Sequence, residues 1–210
     1  MDIKIIKELK KPLDSKNIKE LDGNSYLEGW FVIAEANRIF GFDGWSYETV
    51  YNREVCRTER KVGKKQYDGY EVGYEAKVRV QVDGVFREGT GHGSGIAQNL
   101  FKCIEGAAKE AETDAIKRTL KSFGYAFGLA LYDKEKKNVG NVDEYDKEQA
   151  KLDVVYDKIK TLLSNADKDT AGKAWADNAV DITSIKRGNK DNYDNLLKEF
   201  TEAKKRDASS

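Results

Sequence analysis

Proline is nearly missing from this 210-residue chain. Pro12 is the only one, so element boundaries must be set by glycine and by Asn or Asp. Histidine is equally scarce: the single His92 excludes multi-histidine metal sites and leaves a histidine-based triad one candidate. No Gly-x-Ser-x-Gly serine accompanies it, and neither Cys56 nor Cys103 sits in a recognisable nucleophile setting. The two cysteines also lack metal-type or Cys-x-x-Cys spacing, which reads as reduced thiols in a cytoplasmic protein. No apolar stretch approaches the ~20 residues that cross a bilayer. The N-terminus has no uninterrupted hydrophobic run leading to a small-residue cleavage site, so it is not read as a signal peptide. Net charge is absent as well. With 37 Lys and Arg against 37 Asp and Glu, binding to a polyanion must come from local segregation of charge. What is present, 39% hydrophobic and 35% charged residues, suffices for one folded domain plus an appendage.

Composition changes near residue 140, after which glycines and aromatics thin out. The stretch 136–141 reads as a linker between residues 1–140 and a tail, 141–210. In the first part, Tyr70, Val72, Tyr74, Ala76, Val78, Val80 and Val82 alternate with polar residues or glycine, predicting a strand with one buried face. Asp83-Gly84 supplies a tight hairpin turn to a strand at 85–90, and 45–55 predicts the preceding strand. Glycines 89, 91, 93 and 95 are expected to break the sheet and to allow close backbone approach. A helix at 96–123 follows, with Ile104, Ala108, Ala111, Ala115, Ile116, Leu120 and Phe123 as its apolar stripe. An earlier helix is expected at 27–40. The fold class is therefore α+β: an antiparallel β-meander packed on a long helix, with a C-terminal helical tail. In that tail Leu152, Val155, Ile159, Leu162 and Leu163 form one stripe, and Tyr193, Leu196, Leu197 and Phe200 another. Either a small bundle or an arm that folds on a partner fits them.

Charge segregates at two places. Residues 51–65 carry Arg53, Arg57, Arg60, Lys61, Lys64 and Lys65 against two glutamates, and are read as a strand end and loop. Residues 115–137 carry six cations against two acids. There Lys117 and Lys121 stand one helical turn apart beside Arg118, with Lys109 two turns earlier and about 80° around the axis. A phosphate-binding stripe, with Tyr and Trp able to stack on bases, is one reading. Cations favoured by the helix C-terminal dipole, next to a solvated loop, are the other. The 89–95 glycine run fits neither a Gly-Lys-Ser/Thr loop nor a dinucleotide fingerprint. Glu105, Glu110, Glu112 and Asp114 suggest a two-metal nuclease, although Glu110 and Asp114 are explained more simply by pairing with Lys117, Arg118 and Lys121 on the same helix.

Three segments together resemble the annealing domain of the Rad52 family: 26–30 with 36–45, the strand, turn and glycine run of 78–93, and above all 109–124 with 131–134. The resemblance covers about residues 26–135, and the chain's size with its unmatched tail is similar to bacteriophage, Sak-type members. It implies an ATP-independent, non-enzymatic protein without cofactors. Such a protein anneals complementary single-stranded DNA as a homo-oligomeric ring, in the cytoplasm of a bacterial host and with no membrane association. In it a basic groove grips the DNA backbone. By the resemblance, Lys117 and Arg118 match inner-groove contacts, with Lys109 and Lys121 alongside. Arg53, Arg57, Arg60, Lys61, Lys64 and Lys65 lie in the region that lines the other wall, and Lys19 stands near a groove arginine. The family's second, outer DNA site uses lysines where this chain has Gln98 and Asn99. The tail is expected to bind a partner, a single-strand binding protein being the first choice. Two rivals stand beside this reading: a metal-dependent DNA-end nuclease and a purely structural ring-forming protein.

Overall fold

A computed structural model describes residues 1–206, so the last four residues of the 141–210 tail lie outside it. Along the chain run α1 (Ile3–Lys10), β1 (Leu13–Asp14), β2 (Lys19–Leu21), β3 (Asn24–Tyr26), α2 (Gly29–Phe40), β4 (Trp45–Val62), β5 (Tyr67–Val82), β6 (Val85–Ala97), α3 (Leu100–Lys121) and β7 (Val139–Gly140). Then come α4 (Val142–Ser164), α5 (Lys168–Asp177), α6 (Ala179–Gly188) and α7 (Lys190–Ala203). Two compact units divide at Val142 and Asp143.

In the first unit β4, β5 and β6 form an antiparallel meander in that order. Alternation places Val72, Ala76, Val78, Val80 and Val82 of β5 on the buried face, as the period of two requires. Asp83 and Gly84 both take positive φ and close the two-residue hairpin. β4 runs seven residues further than its hydrophobic pattern indicates, to Val62, so Arg57, Arg60 and Lys61 sit in a strand and only Lys64 and Lys65 in the turn. That turn is closed by positive φ at Gly63 and Gln66.

The glycine run does not break the sheet. It is the second half of β6, paired with β5 throughout. A Cβ on Gly91 would lie 2.1 Å from the Ala115 nitrogen, one on Gly93 2.2 Å from the Ala107 carbonyl oxygen, and one on Gly95 2.1 Å from that of Cys103. Two strand residues advance about 6.6 Å and four helix residues about 6 Å. Alternate glycines therefore meet successive turns of α3, and the bare backbone lets the helix rest directly on the strand. For the same reason α3 starts at Leu100, not at Ile96, which belongs to β6. Its buried stripe is Cys103, Ala107, Ala111, Ala115, Ile116, Thr119 and Leu120, while Ile104 and Ala108 are only half-buried. Asn99 caps its N-terminus by accepting from the Lys102 amide.

α2 begins at Gly29 and adds Val32, Ala36, Ile39 and Phe40 to the same core, where Phe40 meets Phe123 and Phe127. Each such aliphatic or aromatic side chain contributes about 1.5–3 kcal/mol on burial. α1, which the sequence pattern does not single out, is tied to α2 by the Glu8–Arg38 ion pair at 2.7 Å. The 136–141 stretch is part of the first unit, not a free linker, since Val139–Gly140 pair in parallel with Leu13–Asp14. In the second unit Ile159, Leu163, Ile182, Ile185 and Leu196 share a core, so the tail is a four-helix unit. Leu162 and Leu197, included in its apolar stripes, point outward.

Candidate nucleic-acid interface

With one side of α3 pressed on glycines, its opposite side carries the charges. Lys117, Arg118 and Lys121 line one cleft of about 140 Å³. Its far wall is Ser25, Tyr26 and Leu27, and its end is Phe127, Gly128, Leu131 and Tyr132. Gly128, at φ +93, takes the left-handed conformation that turns the chain back after α3. This turn sets Tyr132 under Lys121, with the ammonium 3.7 Å from the ring centroid. Lys136 braces the wall by donating to the Ser25 hydroxyl at 3.1 Å. Lys109 lines a second cleft of about 420 Å³ with His92, Glu110, Thr113, Asp114 and Lys117. Lys117 borders both, so the two clefts form one strip along α3.

The pairing of these cations differs. Arg118 is held by Asp114 at 2.7 Å, and this hydrogen bond raises its already high pKa. Lys109 pairs with Glu105 at 2.5 Å. Neither Lys117 nor Lys121 has a carboxylate partner among the described residues. The acids of α3 have another task besides pairing along the helix. Asp114 also accepts the His92 amide at 3.2 Å, and Glu110 accepts the Ser94 amide at 2.8 Å instead of bonding a helix cation. These two carboxylates satisfy outward amides of the edge strand β6, which tightens the helix onto the sheet and blunts the edge. Glu112 accepts from the Thr49 hydroxyl at 2.5 Å.

Of the strand cations, Arg53, Arg60 and Lys61 are neutralised from the neighbouring strand β5, and Arg57 from its own strand. Arg53 pairs with Glu75 at 2.9 Å, Arg57 with Glu54 at 2.7 Å, Arg60 with Glu71 at 2.5 Å and Lys61 with Asp68 at 2.6 Å. Hydrogen bonds from Arg53 and Tyr51 hold the Glu75 carboxyl below the usual range, and one from Arg57 does the same for Glu54. Lys64 and Lys65, at the turn, have no such partner among the described residues. Exposed pairs of this kind are screened by solvent and contribute little, so a phosphate can displace the carboxylate. Lys19 lies in β2 in register with Tyr26, at the cleft wall.

No three of His, Cys, Asp or Glu converge to hold a metal ion among the described residues. Cys56 is exposed, and Cys103 is buried with its thiol donating to the Gly95 carbonyl. No helix among the described residues is long and apolar enough to cross a membrane. The residues that sequence reasoning left out of the site are Ser25, Tyr26 and Tyr132. The two tyrosines stand in the segments that carry the family resemblance, but only the turn at Gly128 and the β2–β3 hairpin bring them together.

Comparison with known proteins gives a match over residues 3–150 to the Rad52/22 family of double-strand break repair proteins. The DNA repair and recombination protein RAD52 of Kluyveromyces lactis is 42% identical over 113 residues, covering 53% of this chain and 24% of that protein. Its namesake in Saccharomyces cerevisiae is 41% identical over 114 residues, again 53% of this chain and 23% of the relative. In Emericella nidulans, the DNA repair and recombination protein radC is 31% identical over 153 residues, 70% of this chain and 25% of the relative. This chain thus spans about a quarter of the length of these relatives. All three are fungal, and the expectation of a bacteriophage member in a bacterial host finds no support in them.

Proposed function

Because this chain belongs to the Rad52/22 family, whose named relatives are DNA repair and recombination proteins, we propose that it binds single-stranded DNA and anneals complementary strands. The observation that carries this reading is the strip on α3. Lys117 and Lys121 have no carboxylate partner among the described residues and line a cleft with Arg118 and its partner Asp114, flanked by two exposed tyrosines.

The chemistry is recognition, not bond-making. Each phosphate neutralised by this strip releases about 0.7–0.9 of a counterion, which supplies the binding free energy. Lysines act as compact point charges on the backbone, and the bases are left to read each other by Watson–Crick pairing, so no sequence preference follows. A neutral chain offering about four cations per copy binds weakly alone. Copies side by side in a ring turn the strips into a continuous track whose affinity grows with the number engaged. Lys64 and Lys65, together with Arg53, Arg57, Arg60 and Lys61 once phosphate displaces their partners, form the second wall. The protein catalyses no reaction and needs no nucleotide or metal cofactor. The four-helix unit after Val142 serves to bind a partner, a single-strand binding protein.

Lys117→Ala with Arg118→Ala should abolish annealing of labelled complementary oligonucleotides while leaving the melting temperature and the assembly unchanged. Full annealing by that double variant overturns the assignment. Truncation after Val142 should spare annealing of naked DNA and impair it on DNA coated with a single-strand binding protein. Equal loss on both substrates places the unit in assembly instead.

A further inference from the structure

Tyr132 is a large aromatic residue left 68% exposed at the end of the cleft. Its ring face is not bare: the Lys121 ammonium stands over it at 3.7 Å from the centroid. Of the other cations placed in this strip, Arg118 is oriented by Asp114 and Lys109 by Glu105. Lys121 has no carboxylate among the described residues, and its four-carbon stem is otherwise free to sample many rotamers. It is also the last residue of α3, where the chain turns away, so the helix gives its side chain little lateral support. The ring is brought there by a specific backbone device, the left-handed Gly128 that follows a 3₁₀ turn and reverses the chain.

We propose that Tyr132 is a positioning residue for Lys121: its π face holds the ammonium in the cleft, ready for a phosphate, without neutralising it. The proposal rests on the reading of this cleft as a DNA backbone track. A carboxylate in the same place would orient the lysine equally well but would compete with the phosphate for its charge. A ring quadrupole attracts the cation and leaves it positive. This distinction gives an aromatic residue at this position a purpose that burial does not supply, since most of the ring stays in solvent.

The test compares Tyr132→Phe, Tyr132→Leu, Lys121→Ala and the double variant Tyr132→Leu/Lys121→Ala. The readout is binding of fluorescently labelled oligothymidylate, titrated over a series of potassium chloride concentrations. Tyr132→Leu should weaken binding about two- to five-fold, the span of one cation–π contact at an exposed site. Its dependence of affinity on salt should flatten toward that of Lys121→Ala, and Tyr132→Phe should behave as the wild type. In the Lys121→Ala background the leucine change should add nothing, because the residue through which Tyr132 acts is gone. A purely structural role would lower the melting temperature and leave the salt slope alone. The proposal fails if Tyr132→Leu binds like the wild type, if phenylalanine is as poor as leucine, or if leucine costs as much without Lys121 as with it. It fails also if Lys121→Ala binds normally. The Lys117/Arg118 double variant decides the wider reading separately, so loss there with no effect at Tyr132 rejects only this inference.

Discussion

Replacing Gly91 with alanine adds one methyl group at the place where α3 lies closest to the sheet. The new carbon would stand 2.1 Å from the Ala115 nitrogen, 2.6 Å from the Ala111 carbonyl oxygen and 2.7 Å from the Ala115 Cα. Ordinary contact begins near 3.4 Å, so strand and helix must separate by 3.4 less 2.1, or about 1.3 Å. All three obstructing atoms are backbone, and no rotamer change relieves them. A radial gap of ~0.5–1 Å already forfeits a quarter to a half of each dispersion contact it opens. The gap would loosen the line from Cys103 to Thr119 and strain the Asp114 and Glu110 bonds to β6. Overpacked cores lose ~1–3 kcal/mol, and a rigid obstacle belongs at the upper end, ~3 kcal/mol. At ~2–4 °C per kcal/mol for a chain of this length, the melting temperature should fall by ~6–12 °C. Gly106→Ala, on the open side of α3 itself, is the internal control. Nothing lies within 4 Å of its added carbon, and removing a helical glycine should stabilise by up to ~1 kcal/mol. Thermal unfolding followed by circular dichroism, with Trp30 and Trp45 fluorescence read in a Trp175→Phe background to report on the first unit, measures both. A Gly91→Ala protein that melts at or above the wild type refutes the account of the glycine lane.

Further outcomes follow from the charges. Lys64→Ala/Lys65→Ala should flatten the salt dependence of single-stranded DNA binding by about one counterion for each phosphate that is no longer neutralised. Arg57→Ala should flatten it by less than half as much, because Glu54 already occupies that guanidinium, and half or more would contradict this. Burial raises the Glu8 carboxyl, but hydrogen bonds from Lys11 and Arg38 outweigh it and hold the group below the usual range. A lowered folded-state pKa gives stability that is complete above the unfolded value near ~4.3 and is lost as pH falls through the lower folded one. Glu8→Gln should therefore reduce the loss of stability seen below about pH 4, and an unchanged acid limb of the melting curve would count against the ion pair. Labelled single-stranded DNA incubated with magnesium and the protein should keep its length; shortening would restore the nuclease reading.

Much of the first unit is legible in the residues because its signals are local. Seven alternating positions give the middle strand, Asp83-Gly84 gives its turn, and the spacing of Lys117 and Lys121 sets both on one face of α3. The glycine run of β6 is hidden for a physical reason. A strand that contributes bare backbone to a helix shows no hydrophobic periodicity, and so it resembles a loop. The hairpin cations illustrate a second blind spot. Counting charge along 51–65 misses Asp68, Glu71 and Glu75, which arrive from the neighbouring strand and cancel most of the excess. Tyr26 and Tyr132 are more than a hundred residues apart, and their meeting at one cleft depends on a left-handed glycine and a short hairpin that no periodicity announces.

The claim at the centre is that α3 cations become a DNA track when copies stand side by side. Annealing rate measured across protein concentration, with assembly followed in parallel by analytical ultracentrifugation, tests it most directly. The account predicts that fast annealing sets in together with assembly and that both the rate and the affinity fall steeply with salt. A strictly monomeric protein that anneals complementary strands at the same rate would contradict it.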